Sequence, residues 1–209
     1  MEAAAAIAKL KEKFAPSILE ENFFRDEYTL AVAKESLHEI CAFARETLGF
    51  DYLIDISSVD HFGEEPRFEV VYELYSMASG IHLRLKTPLS EDAPELISVI
   101  DIWPTADWHE REVWDMMGIT FNKHPDLRRI LMWEGYPYHP LRKDFPLEGK
   151  ASEVEGVAFT RRAPLAGGPF VTVPTDETTV AREPRSRSVS GVVDDKSADN
   201  LPPDISKII

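Results

Sequence analysis

RFEVVYELYSMASGIHLRLKT, residues 67–87, decides the fold of this chain. RFEVVYELYSM and GIHLRLKT are runs rich in β-branched and aromatic residues, and only ASG separates them, so they are predicted to form a hairpin. Upstream, DYLIDISSVD (51–60) reads as a further strand, set off by HFGEEP, and YTLAVA (28–33) as a short one. Between them, KESLHEICAFARETLGF places Leu37, Ile40, Cys41, Ala44 and Leu48 at spacings of three and four. That spacing makes one apolar helical stripe, with Gly49 as its stop. MEAAAAIAKLKEKF opens the chain as an Ala-rich helix rather than a signal peptide, because it lacks a basic leading region and a long apolar stretch.

Downstream, SEDAPELI is predicted as a short helix and SVIDIW as one more strand. PTADWHEREVWDMMGI is the best-punctuated helix: Asp107 and Glu110 fit a capping box, Thr105 is a rival cap, and Gly118 ends it. The order of elements points to an α/β fold of the α+β type: two layers, a mixed sheet and helices on one face.

Beyond Phe121 the periodicity is lost. Pro125, Pro137, Pro140 and Pro146 bias the residues before them toward extended backbone, and Trp133, Tyr136, Tyr138 and Phe145 lie among them. From about residue 151 Pro, Ser, Thr, Asp and Arg dominate. Residues 1–150 are therefore expected to be one compact domain and 151–209 a long, irregular extension.

The 209 residues suffice for one sizeable core. A formal charge of -14 and a pI near 4.8 argue against nucleic acid or anionic lipid as the main partner and favour a cytosol-facing protein. Cys41 is the only cysteine. It allows no intramolecular disulfide and no iron-sulfur cluster held by this chain alone; in its apolar stripe it reads as an inert thiol. No apolar run approaches the roughly 20 residues of a membrane span.

HPDLRRI at 124–130 is echoed by HPLRKDF at 139–145. As metal ligands His124 and His139 lack neighbouring His or Cys at ligand spacing. WHEREVW fails as a His-Glu-x-x-His site because Val113 stands where the second imidazole must be. As an anion cradle the basic pairs lack a Gly-rich phosphate loop, and Gly167-Gly168 is followed by Pro169 rather than a helix. Glu110, Glu112 and Asp115 form a candidate acid-base set, but Arg111 sits among them, Arg128, Arg129, Arg142 and Lys143 are the obvious partners for these acids and for Asp126 and Asp144, and an ion-paired carboxylate donates protons poorly near neutral pH. Val113, Trp114 and Met117 are expected in the core. Trp108, Met116, Trp133, Tyr136 and Tyr138, interleaved with the arginines, have the composition of a protein interface.

EREVWDMMGITFNKHPDLRRIL, 110–131, closely resembles the signature segment of the family of NADH-quinone oxidoreductase C subunits, and HPLRKDFPL, 139–147, resembles its second hallmark. VVYELYS, Trp103 and Trp108 extend the similarity over roughly 28–150. The resemblance implies a small non-redox subunit of the peripheral arm of respiratory complex I, holding no cluster, flavin or metal. It would dock on the large quinone-site subunit and the neighbouring cluster-bearing subunit, at the cytoplasmic face of the bacterial inner membrane. On this reading the interface residues are Glu110, Arg111, Glu112, Asp115, His124, Asp126, Arg128, Arg129, His139, Arg142, Lys143 and Asp144. Two alternatives stand beside it: the equivalent subunit of a membrane-bound energy-converting hydrogenase, and a freestanding hydrolase using Glu110, Glu112 and His124.

Overall fold

The computed structural model describes residues 3–147, so the expectation for 151–209 lies outside the described residues. In chain order these are α1 (Ala3–Phe14), β1 (Ile18–Phe24), β2 (Glu27–Val32), α2 (Leu37–Glu46), β3 (Tyr52–Asp60), β4 (Phe68–Ser76), β5 (Ile81–Leu89), β6 (Glu95–Ile97), α3 (Ala106–Met117) and β7 (Thr120–Asn122). The expected hairpin is β4–β5, with Phe68 opposite Leu89 and Tyr72 opposite Leu85.

The five-stranded sheet runs β1-β2-β5-β4-β3. β2 is parallel to β5 and every other pair is antiparallel, so the sheet is mixed. Strand alternation sorts its two faces. Phe68, Val70, Tyr72 and Leu74 lie opposite Leu89, Thr87, Leu85 and Leu83 on the buried face. There they join Leu30, the α1 residues Ile7, Leu10 and Phe14, and the α2 residues Leu37, Ile40, Cys41 and Ala44 in one core. The other face carries cross-strand ion pairs: Lys86 with Glu69 at 2.7 Å, and Arg84 with Glu27 at 3.3 Å and with Glu73. This is the expected α+β architecture with helices on one face.

Three local expectations are corrected. SEDAPELI is not a helix: Pro94 precedes the short strand β6, which pairs in parallel with β7 in a separate small sheet. SVIDIW is not a strand; Ile102 and Trp103 turn back to donate to the Val99 carbonyl at 3.0 and 2.9 Å. This coil buries Val99, Ile102 and Trp103 together, because their three- and four-residue spacing suits a turn rather than a strand. The Asp107–Glu110 capping box does not form. α3 starts at Ala106, with Thr105 at the N-cap making no side-chain bond, and this places Glu110 on the buried stripe with Ala106, Val113 and Met117. Among the described residues, no helix is long and apolar enough to cross a membrane.

Candidate docking surface

Helix α3 ends where expected, at Gly118 with φ of 74°, whose N–H donates to the Trp114 carbonyl at 2.8 Å. The last carbonyls of a helix have no intrahelical donor, and here the second His-Pro motif supplies donors. His139 donates from Nδ1 to the Asp115 carbonyl at 3.0 Å, the Leu141 N–H to Met116 at 3.1 Å, and Arg142 Nε to Met117 at 2.6 Å. A cation at this end also complements the helix dipole. The packing is tight, since a Cβ on Gly118 would lie 2.7 Å from side-chain atoms of both His139 and Arg142.

The first motif closes on the same helix from another side. Asp115, fully buried, accepts three successive backbone N–H groups on Oδ2, from Ile130, Leu131 and Met132, at 3.0, 2.8 and 2.9 Å. Arg129 bonds its other oxygen, and the same guanidinium reaches the Tyr136 carbonyl and lies near the Trp114 and Tyr136 rings. Burial would push the Asp115 carboxyl up, but the Met132, Leu131 and Ile130 amides and Arg129 outweigh it and hold it below the ordinary aspartate value. Arg111 donates to the carbonyls of Arg128 and Arg129 at 3.1 and 3.2 Å. His124 accepts from the Asp126 N–H on Nδ1 at 3.1 Å, which leaves Nε2 to donate to Asp107 at 3.2 Å.

A third anchor has no counterpart in the sequence reading. Asp60, at the end of β3, is clasped by Arg67 through two bonds of 2.9 and 3.0 Å and accepts the Lys143 N–H at 2.8 Å. Arg67, only 2% exposed, also bonds Glu91 and Asp144. The Arg67 bonds hold the Asp60 carboxyl low, and those bonds in turn raise Arg67. Asp60 and Arg67 flank a hairpin loop, where an opposite-charge pair is the one signal that could have found them.

These contacts bear out part of the expected charge pairing and revise the rest. Arg129 pairs with Asp115 and Arg128 with Asp126 at 2.9 Å, the latter pair mostly exposed. Arg111 and Arg142 bond carbonyls rather than acids, and Lys143 contributes its backbone. Among the described residues Glu110 has no ion-pair partner. It accepts from Ser98 Oγ at 2.6 Å and from the Val99 N–H at 2.8 Å inside the core. Burial pushes its pKa up to about 7 against those two bonds, with Asp101 and Asp107 adding to the rise. His139 is held low by burial and by the Arg142 and Arg129 charges.

The anchors turn a set of side chains outward. Trp108 is 68% exposed and Leu131 60%, with Ile130, Leu141, Glu112, Asp126 and Arg128 also exposed. Behind them an edge-to-face chain runs Trp133–Tyr136–Tyr138, at 5.6 Å per step. A surface of apolar and Arg side chains is suited to binding protein.

Residues 30–151 match the family described as Respiratory-chain NADH dehydrogenase, 30 Kd subunit. The C subunit of NADH-quinone oxidoreductase from Geotalea uraniireducens is 48% identical over 148 residues, covering 71% of this chain and 90% of that protein. The C 2 subunit of NADH-quinone oxidoreductase from Rhizobium meliloti is 53% identical over 124 residues, covering 58% and 68%. Among solved structures, a trypsin-resistant fragment of Nqo5 superposes with a TM-score of 0.54 at 30% identity, covering 61% of this chain and all of that one. A chain of the membrane-bound sulfane sulfur reductase, an archaeal respiratory membrane complex, gives 0.61 at 26% identity, covering 70% and 87%. The match over more than half of the chain, and the 48% identity to a subunit of which it spans 90%, make this chain a member of the respiratory-chain NADH dehydrogenase 30 Kd subunit family, one subunit of a multi-subunit respiratory complex.

Proposed function

We propose that this chain is a non-catalytic docking subunit of proton-pumping NADH:quinone oxidoreductase. It sits against the large quinone-site subunit and the cluster-bearing subunit on the cytoplasmic face of the bacterial inner membrane. Electrons pass from NADH to quinone through those partners, and this chain holds them in place and carries no cofactor. The observation that carries the reading is the way Asp115 and Asp60 are consumed: both spend their oxygens on the chain's own amides and arginines, so that 124–145 is rigid before any partner arrives. Cys41 fits the absence of a cluster, since burial raises its thiol far above the thiolate range that metal ligation needs.

Trp108→Asp with Leu131→Asp tests it. Both side chains are exposed, so the melting temperature should hold while co-purification of the large quinone-site subunit from native membranes falls at least tenfold. Undiminished co-purification would sink the reading. The similarity to a chain of the archaeal sulfane sulfur reductase complex supports a second one, the equivalent subunit of another membrane-bound respiratory complex. The identity of the co-purifying subunits separates the two.

A further inference from the structure

Among the described residues β1 pairs on one side only, with β2, and forms the edge of the sheet opposite β3, the strand on which α3 packs. Every residue from Leu19 to Phe24 is exposed, and Phe23 and Phe24 leave 54% and 67% of their surface in solvent. An unpaired edge is a template for strand addition, which proteins block with Lys, Pro or bulges. ILEENFF has neither Lys nor Pro, and its one irregularity lies between Ile18 and Glu20, before the regular stretch.

What guards this edge is Glu20 and Glu21. Two copies of β1 paired antiparallel about their middle would oppose Glu21 to Glu21, and directly opposed like charges destabilise a pair. The formal charge of -14 adds long-range repulsion between copies. The same two acids favour a cationic strand. Lys11 of α1 already forms an ion pair with Glu21, so a cation is accommodated on that face. On the other face Phe24 and Asn22 border a shallow groove of about 490 Å³ that runs onto Thr29 of β2 and is lined by Arg25, Glu27, Arg84 and Lys86 as well, with Phe24 as its one apolar wall.

We infer that β1 is a strand-addition site for an extended segment of another subunit. That segment carries two adjacent Lys or Arg opposite Glu20 and Glu21, and apolar residues opposite Phe23 and Phe24. Main-chain bonds supply the attachment and the charges select the partner. The inference rests on membership in a multi-subunit complex and not on the α3 surface.

Amide hydrogen exchange of the full chain, alone and within the complex purified from native membranes, tests it. Residues 20–24 should exchange at least tenfold more slowly in the complex. Glu20→Lys should abolish that slowing while leaving the melting temperature and co-purification unchanged. A photo-crosslinking residue in place of Leu19 should join a foreign segment with paired basic residues. Equal exchange rates in a complex that retains the chain overturn this inference alone. So does a crosslink to a second copy, to residues 148–209 of this chain, or to a segment without Lys or Arg. Absence of the chain from the complex overturns the docking reading as well.

Discussion

Along β4 and β5 the chain buries Phe68, Val70, Tyr72, Leu74, Leu83 and Leu85, whereas between Gly118 and Phe145 it buries Ile119 and Phe121 and then relies on carboxylates. Each Leu or Phe in the sheet contributes roughly 1.5–3 kcal/mol and tolerates some repacking. The loop segment is fixed at Asp115, Asp60 and the three carbonyls at the end of α3, where a donor either meets its acceptor or leaves a buried polar group unsatisfied. Apolar burial makes the body; polar satisfaction sets the position of what the body displays.

The sharpest way to break that contrast is Asp115→Ala. It strands three amides and the Arg129 charge, and should cost about 3–5 kcal/mol in urea unfolding, as loss of one partner of a buried ion pair does. Leu85→Ala should cost about 2–5 kcal/mol by leaving a cavity. Exchange protection separates these two: at urea concentrations below the transition, Asp115→Ala should expose the amides of 130–132, and Leu85→Ala should not. Next in size is Gly118→Ala, at about 1–3 kcal/mol, because it sets a non-glycine residue at positive φ and crowds His139 and Arg142.

The pH dependence should carry both signs. Asp115 and Asp60 have lowered pKa values, so their stabilisation is complete above the ordinary aspartate value of 3.8 and is lost as pH falls through their folded values. Glu110 is the reverse. Its proton is retained in the fold up to about 7 but released from the unfolded chain near 4.5, so its share of stability declines as pH rises through that window. Glu110→Gln should flatten this decline in pH-resolved thermal melts and leave the acid limb in place. Smallest of all, Glu112→Gln should change stability by no more than about 0.5 kcal/mol, as exposed substitutions do. A hydrolytic activity in the isolated chain that this variant abolished would revive the hydrolase reading.

Four of the five strands of the sheet were legible because their signal is local, as in the β4–β5 hairpin, which follows from residue type and a short connection; β1 was missed. The end of α3 was legible at Gly118. Its beginning was not, since Thr105 and Asp107 both suit a cap and only packing selects the helical phase that sends Glu110 into the core. β6 was misread because ELI is too short to show a period. The candidate docking segment stood out in the sequence by its composition, in Trp108, the prolines and the arginines, but which arginine meets which acid depends on tertiary geometry. Hence Arg142, expected on an acid, caps a helix, and Arg67 and Asp60 passed unnoticed at the two ends of a loop.

The bond from the Lys143 N–H to Asp60 joins residues 83 positions apart, and this separation imposes an order of events. A chain synthesised from its N-terminus completes the sheet, then α3, before residues 139–143 emerge to close over the helix end. The proposed interface is therefore the last part to take shape, and a chain truncated or misfolded upstream would not acquire it. Readiness for assembly thus reports that the rest of the chain has folded.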